Sequence, residues 1–115
     1  MNRRHRLTSS TDFKRVRRTG KSYAHPLAIL VASPNSLTTS RFGITASRGM
    51  GSAVRRNRGK RLLREAVRCH ISHTASGWDV ILIARSAILE ADWPEIRNSV
   101  AGLLRQANLL KNHDG

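Results

Sequence analysis

Seven basic side chains, Arg55, Arg56, Arg58, Lys60, Arg61, Arg64 and Arg68, crowd into fourteen consecutive residues, with Asn57 set between two of the arginines. A guanidinium group grips phosphate through two parallel hydrogen bonds and stacks on bases; an ammonium group does neither. Asn57 adds a neutral donor and acceptor that can meet a sugar or a base edge. That chemistry recognises a polyanion and makes or breaks no bond. Groups able to do bond chemistry are sparse. The seven Asp and Glu and the histidines His5, His25, His70, His73 and His113 are scattered. His70 and His73 stand three apart on one helix, but only Cys69 is near them as a further ligand, and zinc sites take three or four protein ligands. No metal site and no catalytic side chain is expected. A self-sufficient nuclease would need an acid cluster or a histidine pair that the chain does not supply.

The charge that surrounds this segment is polarised. Lys and Arg number 21 against 7 Asp and Glu, a net +14, and 17 of the basic but only 2 of the acidic side chains lie in residues 1–68. A solvated surface usually mixes the two signs. A one-signed half is the footprint of a nucleic-acid partner. The 115 residues fit one domain, 1–115. No stretch has the roughly 18 apolar residues of a membrane span, and no apolar signal region follows the basic start, so no membrane partner is expected. A single cysteine permits no internal disulfide and suits a reducing cytoplasm.

The elements that must carry these residues follow from periodicity. Residues 1–8 form a basic arm. A first helix spans 9–19, capped by Ser9 with Asp12 three residues on in a loose capping box. Phe13 and Val16 share one of its faces, and Gly20 stops it by accepting a left-handed conformation. Ser22–Ala24 and Leu27–Ala32 read as two short strands or one bent one around His25-Pro26. Arg41–Ser47 reads as the next strand. A long helix covers 52–74. At about 100° per residue its Leu62, Leu63, Ala66, Val67 and Cys69 form a core sector, opposite Asn57, Arg58, Lys60, Arg61, Arg64 and Arg68. Arg55 and Arg56 sit in its first turn, where the helix dipole disfavours cations unless a phosphate binds. Trp78–Arg85 is nearly continuous in apolar residues and suits a strand buried on both faces. A last helix spans 92–110, capped by Asp92, with Trp93, Ile96, Val100, Leu103, Leu104 and Ala107 at helical spacing.

The stretch Ser47-Arg48-Gly49-Met50-Gly51-Ser52-Ala53-Val54-Arg55-Arg56-Asn57-Arg58-Gly59-Lys60-Arg61-Leu62-Leu63-Arg64 closely resembles the signature of the bacterial ribonuclease P protein family, Ser-Lys-x-x-Gly-x-Ala-Val-x-Arg-Asn-x-x-Lys-Arg-x-x-Arg. Arg6-Leu7, Asp12-Phe13 with Val16 and Gly20, Arg41-Phe42-Gly43, and Asp79-Val80 running into Ala84-Arg85 resemble other parts of the same family. The resemblance implies an α+β fold of order α-β-β-β-α-β-α, ribosomal-protein-like, with a four-stranded mixed sheet packed by helices and a left-handed crossover through the long helix. It implies a subunit that binds a catalytic RNA and the 5′ leader of precursor tRNA and promotes removal of that leader by phosphodiester hydrolysis. Magnesium would be held mainly by RNA, and no obligate protein partner is evident. By motif position, the catalytic RNA would meet Arg48, Arg55, Arg56, Asn57, Arg58, Lys60, Arg61, Arg64 and Arg68. The leader cleft would use Phe13, Arg17, Ile29, Val31, Ile44 and Ala46, with the sheet face of the last four left open by strand alternation.

Departures from the pattern have physical content. Arg48 replaces the usual lysine and keeps its charge, and Gly49 stands where a second basic residue is common. Gly59 sits inside the helix, where glycine costs about 1 kcal/mol relative to alanine. Arg17 and Val31 replace expected aromatics, which favours phosphate tracking over base stacking. The competing reading is a ribosomal or other structural RNA-binding protein, for which the same charge and layout would serve.

Overall fold

The computed structural model describes residues 3–111. His113 and Asp114, counted above, lie outside the described residues. The elements run α1 (Ser10–Thr19), β1 (Lys21–Ala24), β2 (Ala28–Pro34), β3 (Arg41–Ala46), α2 (Ala53–His70), β4 (Trp78–Ala84) and α3 (Trp93–Gln106). Short 3-10 turns at Arg3–His5, Arg48–Met50, Ile71–His73 and Ser86–Glu90 join them. This is the expected α+β order. The strands form one mixed sheet in the order β1-β2-β4-β3. β1 pairs antiparallel with β2, β2 antiparallel with β4, and β3 parallel with β4. The parallel pair requires a crossover, and α2 provides it.

β4 lies inside the sheet, which explains its nearly continuous apolar run. Val80, Leu82 and Ala84 point into the main core with Leu63, Val67, Ile96, Val100 and Leu104 from α2 and α3. Ile81 points to the other face, where it is buried with Val31 of β2, Val16 of α1 and Leu7. The sheet is therefore covered by α2 and α3 on one side and by α1 on the other.

Local differences from expectation have identifiable causes. His25-Pro26 separates two strands, and the His25 ring accepts a hydrogen bond from the Leu27 amide at 3.0 Å to close the turn. Gly20 does end α1, but with an extended backbone, φ −83 and ψ 165. Its glycine is needed for space: a Cβ there would lie 2.6 Å from the Val16 carbonyl and 2.8 Å from that of Ala32. Ser9 caps α1 by accepting from the Asp12 amide at 3.4 Å, but the Asp12 carboxylate turns to arginines and not back to the cap. The basic arm is partly anchored, because the Leu7 amide donates to the Phe42 carbonyl at 2.9 Å and its side chain is buried. α2 ends at His70, four residues before the expected boundary, and Cys69 is exposed and not in the core. α3 ends at Gln106 because Asn108 turns left-handed at φ 63.

Candidate nucleic-acid interface

The site begins with a group that the charge count hides. Asp79, at the start of β4, has 0% of its surface exposed. A carboxylate in that position must be paired. Arg41 of β3 grips it with two bonds, Nε to Oδ1 at 2.9 Å and Nη2 to Oδ2 at 2.8 Å. Asn35 donates to Oδ1 at 2.9 Å, and Arg15 of α1 donates to Oδ2. Asp12 completes the cluster at 3.4 Å from Arg15 and 3.6 Å from Arg41. Burial alone would push the Asp79 carboxyl up, but the hydrogen bonds from Arg41, Asn35 and Arg15 prevail and hold it below the usual carboxylate range. The same bonds hold both arginines above their ordinary values. The cluster ties α1 to the sheet and fixes the slot between them. It also commits Arg15 and Arg41 to structure.

α1 crosses the sheet with Phe13 facing inward. The Phe13 ring occupies the space a side chain at Gly43 would need, so glycine in β3 lets the ring lie on the strand. Lys14 and Arg17 are on the exposed side. A groove of about 390 Å³ opens here, lined by Thr8, Ser10, Phe13, Lys14, Arg17 and Thr45.

The predicted cleft residues divide between the two sheet faces. The register pairs Ile29 with Ile83 and Val31 with Ile81, on the α1 side. It pairs Ile44 with Leu82 and Ala46 with Ala84, on the α2 side. Phe13, Ile29 and Val31 therefore come together under α1, and Ile44 and Ala46 do not join them. Thr45 takes the place in β3 that Ile44 and Ala46 were expected to fill. Val31 is 4% exposed beneath α1 and offers little surface, whereas Ile29 and Ile83 are half-buried.

On the other side of β3, α2 presents its cations as foreseen. Ser52 caps the helix by accepting from the Arg55 amide at 3.3 Å. Arg56, Asn57, Arg58, Arg61 and Arg64 are exposed, Lys60 is half-buried, and Arg48 is exposed in the preceding turn. Two members differ. Arg55 donates from Nε to the Met50 carbonyl at 2.9 Å, bracing the turn before the helix. Arg68 lies 3.6 Å from Glu65, an exposed surface pair worth little. Gly59, counted above as a cost, is buried where α2 meets the sheet. A Cβ there would lie 2.6 Å from Met50 Cε and 3.2 Å from Ala84 Cβ. The glycine brings the helix close to β4 and sets the height of the cationic ridge.

Two hollows connect the ridge to β3. Ala46 borders one of about 230 Å³ with Thr45, Ala53, Arg56, Asn57 and Lys60. Ile44 borders another of about 220 Å³ with Arg6, Leu7, Thr8, Phe42 and Arg64. Thr45 lines both the first hollow and the α1 groove, and Thr8 both the second hollow and that groove. Edge strand β3 thus carries a continuous cationic trough from α1 to α2.

The Ribonuclease P family model matches residues 1–108. The chain belongs to the ribonuclease P protein family. It is 43% identical over 114 residues to the ribonuclease P protein component of Herpetosiphon aurantiacus, covering 99% of this chain and 93% of that protein. The corresponding protein of Chloroflexus aurantiacus is 37% identical, covering 96% and 82%. Among solved structures, a mutant ribonuclease P protein of Staphylococcus aureus with defective mRNA degradation activity superposes with a TM-score of 0.83 at 32% identity, covering 93% of this chain and 91% of that one. The ribonuclease P protein of Thermotoga maritima superposes with a TM-score of 0.78 at 30% identity, covering 88% and 96%. These matches set the ribosomal-protein alternative aside, which charge and layout alone could not do.

Four of the described carboxylates are already engaged within the fold. Asp79 has both oxygens occupied by arginine and asparagine donors, and Asp12 and Glu65 face arginines. Asp92 accepts from the Glu95 amide as a helix cap. No group of three or more metal-ligating side chains occurs among the described residues. No described helix is long and apolar enough to cross a membrane.

Proposed function

We propose that this chain, as the protein subunit of a bacterial ribonuclease P, holds the catalytic RNA on the α2 ridge and the 5′ leader of precursor tRNA in the α1 groove. The observation that carries the reading is the trough itself. Arg56, Asn57 and Lys60 meet at Thr45 with a groove whose open wall is Lys14 and Arg17. One strand of RNA can pass along β3 from ridge to groove without leaving cationic surface.

Each residue then has a role. Arg48, Arg56, Arg58, Arg61, Arg64 and Arg68 neutralise phosphates of the catalytic RNA, with Lys60 and Asn57 at the hollow where the leader enters. Arg55 steadies the turn that carries Arg48. Phe13 and Ile29 form an apolar floor for the leader, and Arg17 binds its backbone. Ile44 and Ala46 shape the hollows beneath the ridge, and Val31 supports α1 from below. The protein positions and neutralises; the hydrolysis uses magnesium held by RNA, since the described acids of this chain do not gather into a cluster that would hold the ion. The site of action is the bacterial cytoplasm, where precursor tRNA is made.

Reconstitution tests this directly. The protein alone with magnesium leaves precursor tRNA intact, and adding the catalytic RNA at low magnesium yields cleavage at the mature 5′ end. Cleavage by the RNA-free protein would overturn the reading, as would a holoenzyme whose rate ignores the protein.

A further inference from the structure

A further hollow of about 620 Å³, roomier than the α1 groove and the two hollows beside the ridge, lies away from α2. It opens where β1, β2 and β4 meet the C-terminal end of α3. Its aromatic walls are Tyr23 of β1 and Trp78 of β4, both half-buried against the main core. Its rim carries exposed Thr19, Lys21, Gln106 and Asn108. No acid lines it. Arg105 and Lys111 line the adjoining hollow, which shares Asn108.

We propose that this hollow receives an unstacked nucleotide from the upstream part of the single-stranded leader. The proposal rests on the α1 groove holding the nearer part of that leader. Three features favour RNA as the occupant. Two aromatic rings offer surface to any base, whatever its sequence. Gln106 and Asn108 have amides that can meet a base edge. Lys14, Arg17 and Arg18 recur on the exposed side of α1, and Lys21 continues them past its end to the rim. That stripe leads from the groove at Phe13 to the hollow at Thr19, about 9 Å along a helix rising 1.5 Å per residue. A leader leaving the groove therefore meets a cationic path and then an aromatic recess.

The test uses the holoenzyme and two substrates. One precursor tRNA carries a short leader that ends within the groove; the other carries a leader long enough to pass Thr19. Trp93, 38% exposed at the start of α3, is the other of the two tryptophans. In a W93F protein, Trp78 is the sole fluorescent reporter. The long leader quenches Trp78 by stacking and binds about tenfold tighter than the short one. Adding K21E, at an exposed position that does not touch the groove, removes most of that gain and leaves the short leader's affinity alone. An unquenched Trp78, or a K21E protein that keeps the full gain, overturns the proposal. Failure of the groove is separately visible: R17E would then bind even the short leader as well as the wild type does.

Discussion

Two glycines sit inside helices of this protein, and the structure sets opposite outcomes for the same substitution. A Cβ at Gly102 in α3 would meet nothing within 4 Å beyond the backbone of its own helix. Replacing a helical glycine by alanine recovers about 1 kcal/mol of backbone entropy. With unfolding entropy near 2.1 cal/mol/K per residue, that is about 4 °C in melting temperature for a chain of this length. G102A therefore melts about 4 °C higher. G59A makes the same entropic gain but meets Met50 Cε at 2.6 Å and Ala84 Cβ at 3.2 Å. Met50 is 2% exposed, so its Cε end must shift inside a packed core, while the Ala84 Cβ cannot rotate away. Overpacking of this kind costs about 1–3 kcal/mol. The net expectation for G59A is a loss of about 1 kcal/mol, a melting temperature some 4 °C lower. The assay is thermal denaturation by circular dichroism of the full chain, in buffer free of phosphate so that no anion binds the ridge. Equal increases for both variants would refute the close contact between α2 and β4, and with it the placement of the ridge.

Charge reversal at Arg58 and Arg61 abolishes holoenzyme assembly at moderate salt. Replacing each by alanine lowers the slope of log affinity against log salt by about 0.7–0.9 per lost phosphate contact, and unchanged binding would remove those residues from the interface. D79N keeps the shape of the buried cluster but leaves Arg15 and Arg41 with only the half-buried Asp12 as an anion, for a loss of about 2–3 kcal/mol, less than for a fully buried pair because both arginines reach solvent. The folded Asp79 titrates below its ordinary value, so its contribution is complete above about pH 4 and lost as pH falls further. The wild type should therefore lose stability more steeply in acid than D79N, and parallel acid limbs would contradict this. R17E should weaken binding of leader-bearing substrate with little change in melting temperature. F13L should do the reverse, because the ring is packed over Gly43; a substrate-binding defect in F13L without loss of stability would make it a base-stacking platform.

The parts of this structure that were legible in the sequence are those set by local pattern. The apolar run from Val80 to Ala84 in β4 marked a strand buried on both faces, and the two-faced wheel of α2 separated cations from core. The pairing of residues far apart in the chain was not legible. Ile44 and Ala46 alternate just as Ile29 and Val31 do, and only the parallel register with β4 turns them toward α2. Asp79 looked like one of several dispersed acids, although Arg41 lies 38 residues away from it and Arg15 lies 64. The available signal was a lone charge at the start of a strand buried on both faces, which demands partners. Gly59 also had a signal. At about 100° per residue it falls within the arc of Leu63, Ala66 and Val67, so a residue counted as a helix defect stood at the centre of the packing face.

The buried cluster also decides which cations remain available to RNA. Among the described residues, ion pairs engage Arg15, Arg41 and Arg68, and the first two are held on Asp79. Most of the remaining cations of a +14 chain lie in residues 1–68, where Asp12 and Glu65 are the only acids, so the free protein repels itself. Salt must therefore act in opposite directions on the two things this protein does. Screening the ridge relieves repulsion and raises the melting temperature of the free chain. The same screening removes the counterion-release contribution to RNA binding and lowers affinity. The catalytic RNA takes the place of salt, since its phosphates neutralise the surface that destabilises the free protein, and the assembled subunit should lose the salt dependence of its melting. A free chain whose melting temperature does not rise between low and moderate salt would mean that the cations are paired in ways the described contacts do not include.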